Sequence, residues 1–294
     1  MPKPSAQMPL PMSEPCVRYT ATSQSRHPAT VGRAICQGFV NARYTAYRLA
    51  LKDIKGAYAK SSLGLLWDLA DPLMFGAIFY TLVAAGILHP GEMAIPYALF
   101  VTFGMLLYLT FTESLLASLR LFRSSRGLLN HVKIAPEALV LSIFFRMLFN
   151  GSFRLLVLLT LTLMMTELPP SGVVGRLLDL GLFLLLFPSL IMAGMAIGLF
   201  LAPFNALYTD VERVVGLIIL PLRFATPVFY TISSTAVLLL NPVAILIVNL
   251  RDIATHQGVY APGALVAWLA VLAATFAVAT YLFHLAVPVL SERA

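Results

Sequence analysis

The sequence predicts an all-α integral membrane protein: six transmembrane helices, an N-terminal interfacial amphipathic helix, and a short re-entrant helical pair before the last span. Three observations carry this. The chain is 59% hydrophobic and only 11% charged, with a mean hydropathy of +0.86. A soluble domain carries about 25% charged residues, so this chain has too little polar surface to coat a water-facing globule. Apolar runs of about 20 residues recur, the length that roughly 30 Å of hydrocarbon requires at about 1.5 Å per residue. The charge is also lopsided: of a net +7, most is N-terminal or in loops, and nine of the 20 Lys and Arg precede Trp67.

Residues 1–42 are rich in Pro, Ser, Thr and Arg and read as a flexible cytoplasmic tail. They contain no apolar core of signal-peptide length, so the first apolar segment is expected to remain as a span. Cys16 and Cys36 lie in this tail and supply neither a disulfide framework nor metal-ligand spacing. Over residues 43–60, Tyr44, Tyr47, Leu51, Ile54 and Tyr58 recur at spacings of 3, 4, 3 and 4, which lines one face of a helix. Arg43, Arg48, Lys52, Lys55 and Lys60 take much of the remainder. A basic helix so apolar on one side lies in the headgroup plane, although an ordinary surface helix has the same pattern.

Residues 61–294 form the six-span domain, with spans expected at Leu65–Ile87, Ile95–Leu116, Ala138–Thr166, Leu177–Ala202, Val214–Tyr230 and Pro262–Phe283. Ala236–Leu250 is apolar, too short to cross and broken by Asn241-Pro242, so it reads as a re-entrant or interfacial pair. The even count puts both termini on one side. The N-terminal stretch and the loop with Arg120, Arg123, Arg126 and Lys133 are basic, whereas the loops at 89–94 and 167–172 have no Lys or Arg. That bias makes both termini cytoplasmic.

Ionisable groups inside spans are costly and each needs a reason. Asp68 and Asp71, beside Pro72, read first as caps at the start of a span, with acid–base chemistry or a metal as the lesser alternative. Arg146, Asn150 and Arg154 recur every four residues and form a slanting polar stripe. Arg154 lies too deep to snorkel easily, which leaves a structural partner such as Asp179, or an anionic substrate in a wet path. Arg223 carries the same ambiguity. Phe75, Phe79, Tyr80, Phe224, Phe229 and Tyr230 read as packing or interfacial residues, or as a pathway lining on which sugar rings stack.

The chain contains no Gly-Lys dipeptide to anchor a P-loop, no His-Glu-x-x-His and no Gly-x-Ser-x-Gly. Its five His are scattered, so no catalytic residue, metal or cofactor is expected in this chain. If ATP energises it, a partner must bind the ATP and Mg.

Tyr58-Ala-Lys-Ser61-Ser-Leu63-Gly64-Leu-Leu-Trp67, followed by Asp71-Pro72-Leu73, resembles the start of the polysaccharide-exporting ABC permeases, the membrane subunits that export O-antigen, capsule or teichoic acid chains. Leu128–Glu137 is similar to their loop after span two. Leu240-Asn241-Pro242-Val-Ala, continuing to Arg251, is similar to their segment before the last span. The resemblance runs from about residue 43 to the end. It implies a homodimer with two ATP-binding subunits, in the bacterial inner membrane, carrying a lipid-pyrophosphate-linked glycan. It implies a substrate gate at Arg48, Lys52, Lys55, Tyr58, Ser61, Gly64 and Trp67. Coupling to the ATPase would fall on Ser124–His131 and Ala206–Arg213, with Arg126, Leu128, Asn130, Lys133, Asp210 and Arg213 as the residues concerned. Thr209 stands where the family often has Arg. An outer gate falls at Asn241, Pro242 and Arg251. In the implied mechanism the basic helix attracts the pyrophosphate head, and ATP binding shifts the dimer through the two loops. An ABC exporter of another amphiphilic or lipid-linked substrate would keep the topology, and a membrane glycolipid transferase is the reading from a different class.

Overall fold

The computed structural model describes residues 28–58, 66–89, 95–131, 134–166, 172–231 and 235–292. The described residues form helices and connecting turns: α1 (Pro28–Tyr58), α2 (Leu66–Ala84), α3 (Tyr97–Leu119), α4 (Leu121–His131), α5 (Pro136–Met165), α6 (Gly172–Leu207), α7 (Asp210–Ala225), α8 (Thr235–Leu240), α9 (Pro242–Ala254) and α10 (Pro262–Glu292). Four of these, at Tyr97–Leu119, Pro136–Met165, Gly172–Leu207 and Pro262–Val287, are long and apolar enough to cross a membrane. The expected first and fifth spans are the two that differ. In α2, a 19-residue helix, the apolar stretch among the described residues covers Pro72–Ala84. The 16 residues of α7 include Asp210, Glu212, Arg213 and Arg223 and rise about 24 Å at 1.5 Å per residue, short of the hydrocarbon core.

The centre of the bundle is α3, buried along most of its length and packed chiefly on α6. In lipid no hydrophobic force favours one apolar surface over another, so close approach of small residues decides which helices associate. Gly194 and Gly198 of α6 supply it. A Cβ on Gly194 would stand 2.4 Å from the carbonyl oxygen of Phe111, and one on Gly198 would stand 2.3 Å from that of Leu115. Thr110, Thr112 and Ser114 return their hydroxyls to α3 carbonyls one turn back, so these buried polar groups are satisfied within the helix.

Helix α1 begins at Pro28, well before residue 43, where the patterned segment was expected to begin. The stripe it buries, chiefly against α5, is Val31, Ile35, Ala42, Ala46 and Ala50. Tyr44 and Tyr47 point outward, 69% and 53% exposed. Small residues make the protein contact and aromatic ones face the surroundings. At the segment expected to be re-entrant, Asn241 caps α9: its Oδ1 accepts from the backbone N–H of Val243 (3.0 Å) and of Ala244 (3.2 Å). Pro242 at the first helical position needs no such partner. Two short helices result, and α9 is buried on nearly every face by the bundle.

Candidate functional site

One end of the bundle gathers the basic residues. There α1 lies along the start of α5, and α4 turns off the end of α3. The end of α6 meets α7, where Asn205 donates to the Leu119 carbonyl at 3.0 Å and closes the end of α3. The last helix arrives at the same end: His284 Nδ1 lies 2.7 Å from Glu137 Oε1, and Glu137, buried at 3% exposure, also lies against Gly38 of α1.

Between α1, α3, α4 and α5 lies a cavity of about 320 Å³. Leu49, Lys52, Asp53 and Gly56 of α1 form one wall, Leu121, Ser124 and Ser125 of α4 a second, and Ser142, Ile143 and Arg146 of α5 a third. Arg146 Nη1 and Asp53 Oδ2 are 3.8 Å apart, with both side chains partly exposed. Arg48 and Lys55 are exposed on the same helix, and Trp67, at the start of α2, is 65% exposed. Tyr58 closes α1, and Ser61 and Gly64 lie outside the described residues.

The two segments expected to couple to a partner meet at this end. Arg120 Nε donates to Glu212 Oε1 at 2.8 Å, and Arg123 Nη1 lies 3.6 Å from the other carboxylate oxygen. Glu212 thus ties α4 to the first turn of α7. Glu212 falls inside the Ala206–Arg213 segment but was not among the residues named for coupling, and Arg120 and Arg123 lie just before Ser124–His131. The signal available was a single acid opposite a basic loop. Asp210 and Arg213 pair with each other at 3.3 Å, almost fully exposed. Arg126 is exposed on α4, Leu128 and Asn130 lie in the same helix, and Lys133 falls outside the described residues.

Arg154 sits in the interior, 3% exposed. Its guanidinium donates to Glu113 of α3 and, at 3.3 Å, to Thr110 Oγ1, while Asn150 Nδ2 donates to Glu113 Oε1 at 2.7 Å. Its partner is therefore Glu113, which the sequence reading passed over, and not Asp179. The Asp179 carboxylate instead lies 2.7 Å from His256 Nδ1, and the other ring nitrogen of His256 accepts from Arg176 Nε at 3.2 Å. Asp179 sits near the start of α6, at the opposite end of the bundle. Arg223 lies over the Tyr108 ring, 5.6 Å from its centroid.

Four of the six aromatics singled out for the pathway come together at that opposite end. Phe229 lies 6.2 Å from Phe75, 5.4 Å from Phe79 and 5.4 Å from Phe224 between ring centroids. Tyr97 donates to the Phe229 carbonyl at 2.7 Å and fixes the turn. Tyr80 and Tyr230 remain exposed, and Tyr230 donates to the Phe224 carbonyl. Arg251 is buried over Phe100, 3.7 Å from the ring centroid, and donates to the Pro227 carbonyl at 3.2 Å. It therefore ties α9 to α3 and to the end of α7. Burial raises the pKa of the neighbouring Asp252 carboxyl, and the charge of Arg251 opposes that rise.

Four helices are long and apolar enough to cross a membrane, and α4 and α7 meet through Arg120, Arg123 and Glu212 at one end of the bundle. The family described as ABC-2 type transporter matches residues 46–255, and the chain belongs to that family. It is similar to the O-antigen export system permease protein RfbA of Myxococcus xanthus, 25% identical over 216 residues, covering 70% of this chain and 78% of the relative. It is similar to the protein of the same name from Klebsiella pneumoniae, 24% identical over 208 residues, covering 69% and 76%. The chain is a non-catalytic, multi-pass transport subunit, and membership in the family implies an ATP-binding partner.

Proposed function

We propose that this chain is the membrane half of an exporter that carries a lipid-pyrophosphate-linked polysaccharide, of the O-antigen or capsule type, across the bacterial inner membrane. The observation that supports this most is that both relatives, aligned over about two thirds of the chain or more, are named as O-antigen export permeases. In this reading α2, and α7 together with the turn residues 226–230 that extend it, cross beside the four longer helices to give six spans, with both termini cytoplasmic and α8–α9 re-entrant at the outer mouth. Two copies form the pathway. Two ATP-binding subunits, which hold the ATP and Mg, dock on α4 and on the 206–213 segment. The basic half of α1 lies in the headgroup plane, where Arg48, Lys52 and Lys55 attract the pyrophosphate head. The aromatic cluster around Phe229 offers ring faces on the sugar path.

The test is complementation. A strain that makes a lipid-linked polysaccharide but lacks its own permease is supplied with this chain and its ATP-binding subunit. Polysaccharide on the cell surface is expected. Polysaccharide retained inside cells that contain the assembled complex rejects the substrate class.

A further inference from the structure

The cavity at the basic end is built unlike the other charged sites described above. Two cations, Lys52 and Arg146, share its walls with the hydroxyl-bearing Ser124, Ser125 and Ser142, over apolar Leu49, Leu121, Leu139 and Ile143. Its volume of about 320 Å³ lies at the lower end of the range for small-ligand sites and equals on the order of ten waters at about 30 Å³ each. The apolar floor lowers the local dielectric and strengthens any ionic contact made there.

Arg146 is held loosely. Its 3.8 Å separation from Asp53 is well beyond the roughly 2.7–2.9 Å of a charge-assisted hydrogen bond. The Asp53 side chain is 45% exposed, so water competes for it. Arg154 shows the contrast, with its guanidinium hydrogen-bonded directly to a carboxylate. A guanidinium offers five donors in a fixed fork, suited to two oxygens of one tetrahedral oxyanion. Ser124 and Ser142 line the cavity while their hydroxyls donate to the carbonyls of Leu121 and Leu139.

We infer that this cavity binds a phosphate-type oxyanion carried on a lipid headgroup, and that Asp53 is a displaceable counter-ion that holds Arg146 until the anion arrives. The anion bridges Lys52 of α1 and Arg146 of α5, and it touches Ser124 and Ser125 of α4. It therefore reports occupancy to the helix that Arg120, Arg123 and Glu212 join to α7. This consequence rests on the permease reading above, in which α4 docks the ATPase; binding of the anion itself does not. Asp53 also halves the positive charge of the empty cavity, from two cations to a net of one, which disfavours small anions that bring too few contacts to displace it.

The experiment measures ATP hydrolysis by the complete complex in nanodiscs as a function of headgroup concentration. Three probes are used in parallel: a prenyl pyrophosphate, phosphatidylglycerol, and inorganic pyrophosphate with neutral lipid. Asp53→Asn is expected to lower the half-saturating concentration about threefold, the worth of one exposed ion pair. Arg146→Gln is expected to raise it at least about tenfold, the worth of a charged hydrogen bond, with Arg146→Lys in between. Whichever probe shows this pattern identifies the source of the oxyanion. Complex assembly is checked by gel filtration, and Asp53→Asn leaves Arg146 in place, so a failure of Arg146→Gln to assemble does not remove the test. If Asp53→Asn leaves the half-saturating concentration unchanged or raises it for every probe, the inference is overturned. Polysaccharide export in the complementation assay would stand even then, so the two failures are distinguishable.

Discussion

The interior of the bundle and its basic end use the same residue types to opposite effect. In the interior, Glu113 and Arg154 are joined by a direct hydrogen bond, Asn150 occupies the second carboxylate oxygen, and Gly194 and Gly198 bring two backbones together. At the basic end Arg120–Glu212 at 2.8 Å and His284–Glu137 at 2.7 Å are short, but the remaining pairs are longer and wetter: Asp53–Arg146 at 3.8 Å, Arg123–Glu212 at 3.6 Å, Asp210–Arg213 at 3.3 Å. The first arrangement resists rearrangement, because moving either partner strands a charge in an apolar medium. The second exchanges partners at little cost. The difference teaches where this permease is fixed and where it is free to respond.

The largest effect expected is from Glu113→Ala. It leaves a buried guanidinium without its carboxylate and should cost about 3–5 kcal/mol, read as a loss of monodisperse protein and a lower Tm in detergent. Glu113→Leu combined with Arg154→Leu should recover most of that loss, since the deficit comes from the stranded charge. Next is Gly198→Ala. Its added methyl would meet the Leu115 carbonyl, and forcing α3 and α6 apart should cost about 1–3 kcal/mol, again visible in Tm. Asn241→Ala removes the side-chain oxygen that accepts from both Val243 and Ala244 N–H at the start of α9 and should cost about 1 kcal/mol. Glu212→Gln should change stability least, by less than about 1 kcal/mol. It should nonetheless weaken the substrate stimulation of ATP hydrolysis, because it loosens α4 from α7. A Tm loss at Glu212 as large as that at Glu113 would abolish the contrast between the two regions.

The parts of this fold that the sequence makes legible are those with strong apolar contrast. The α3, α5, α6 and α10 runs announce themselves by length. The start of α1 does not, because its buried Val31 and Ile35 are spaced among polar and small residues, and the rest of the stripe is alanine, while Tyr44 and Tyr47 face outward. Glu113 stayed unread for a different reason. Pairing it with Arg154 requires the register between two neighbouring helices, and no spacing within either span contains that register. Arg120, Arg123 and Glu212 required knowing that the end of α6 folds back beside α4. The basic second half of α1 and the Asn241-Pro242 break were visible because capping and charge patterns are local.

The central claim is a permease that moves a phosphate-headed glycolipid when its partner hydrolyses ATP. Inside-out vesicles containing the complex and purified lipid-linked polysaccharide test it most directly, through the fraction of glycan that becomes protected from an added glycosidase. ATP-dependent protection that falls when Glu212 is replaced by Gln is the predicted result. Glycan that remains fully digestible with ATP present, in vesicles shown to hydrolyse it, would contradict the account.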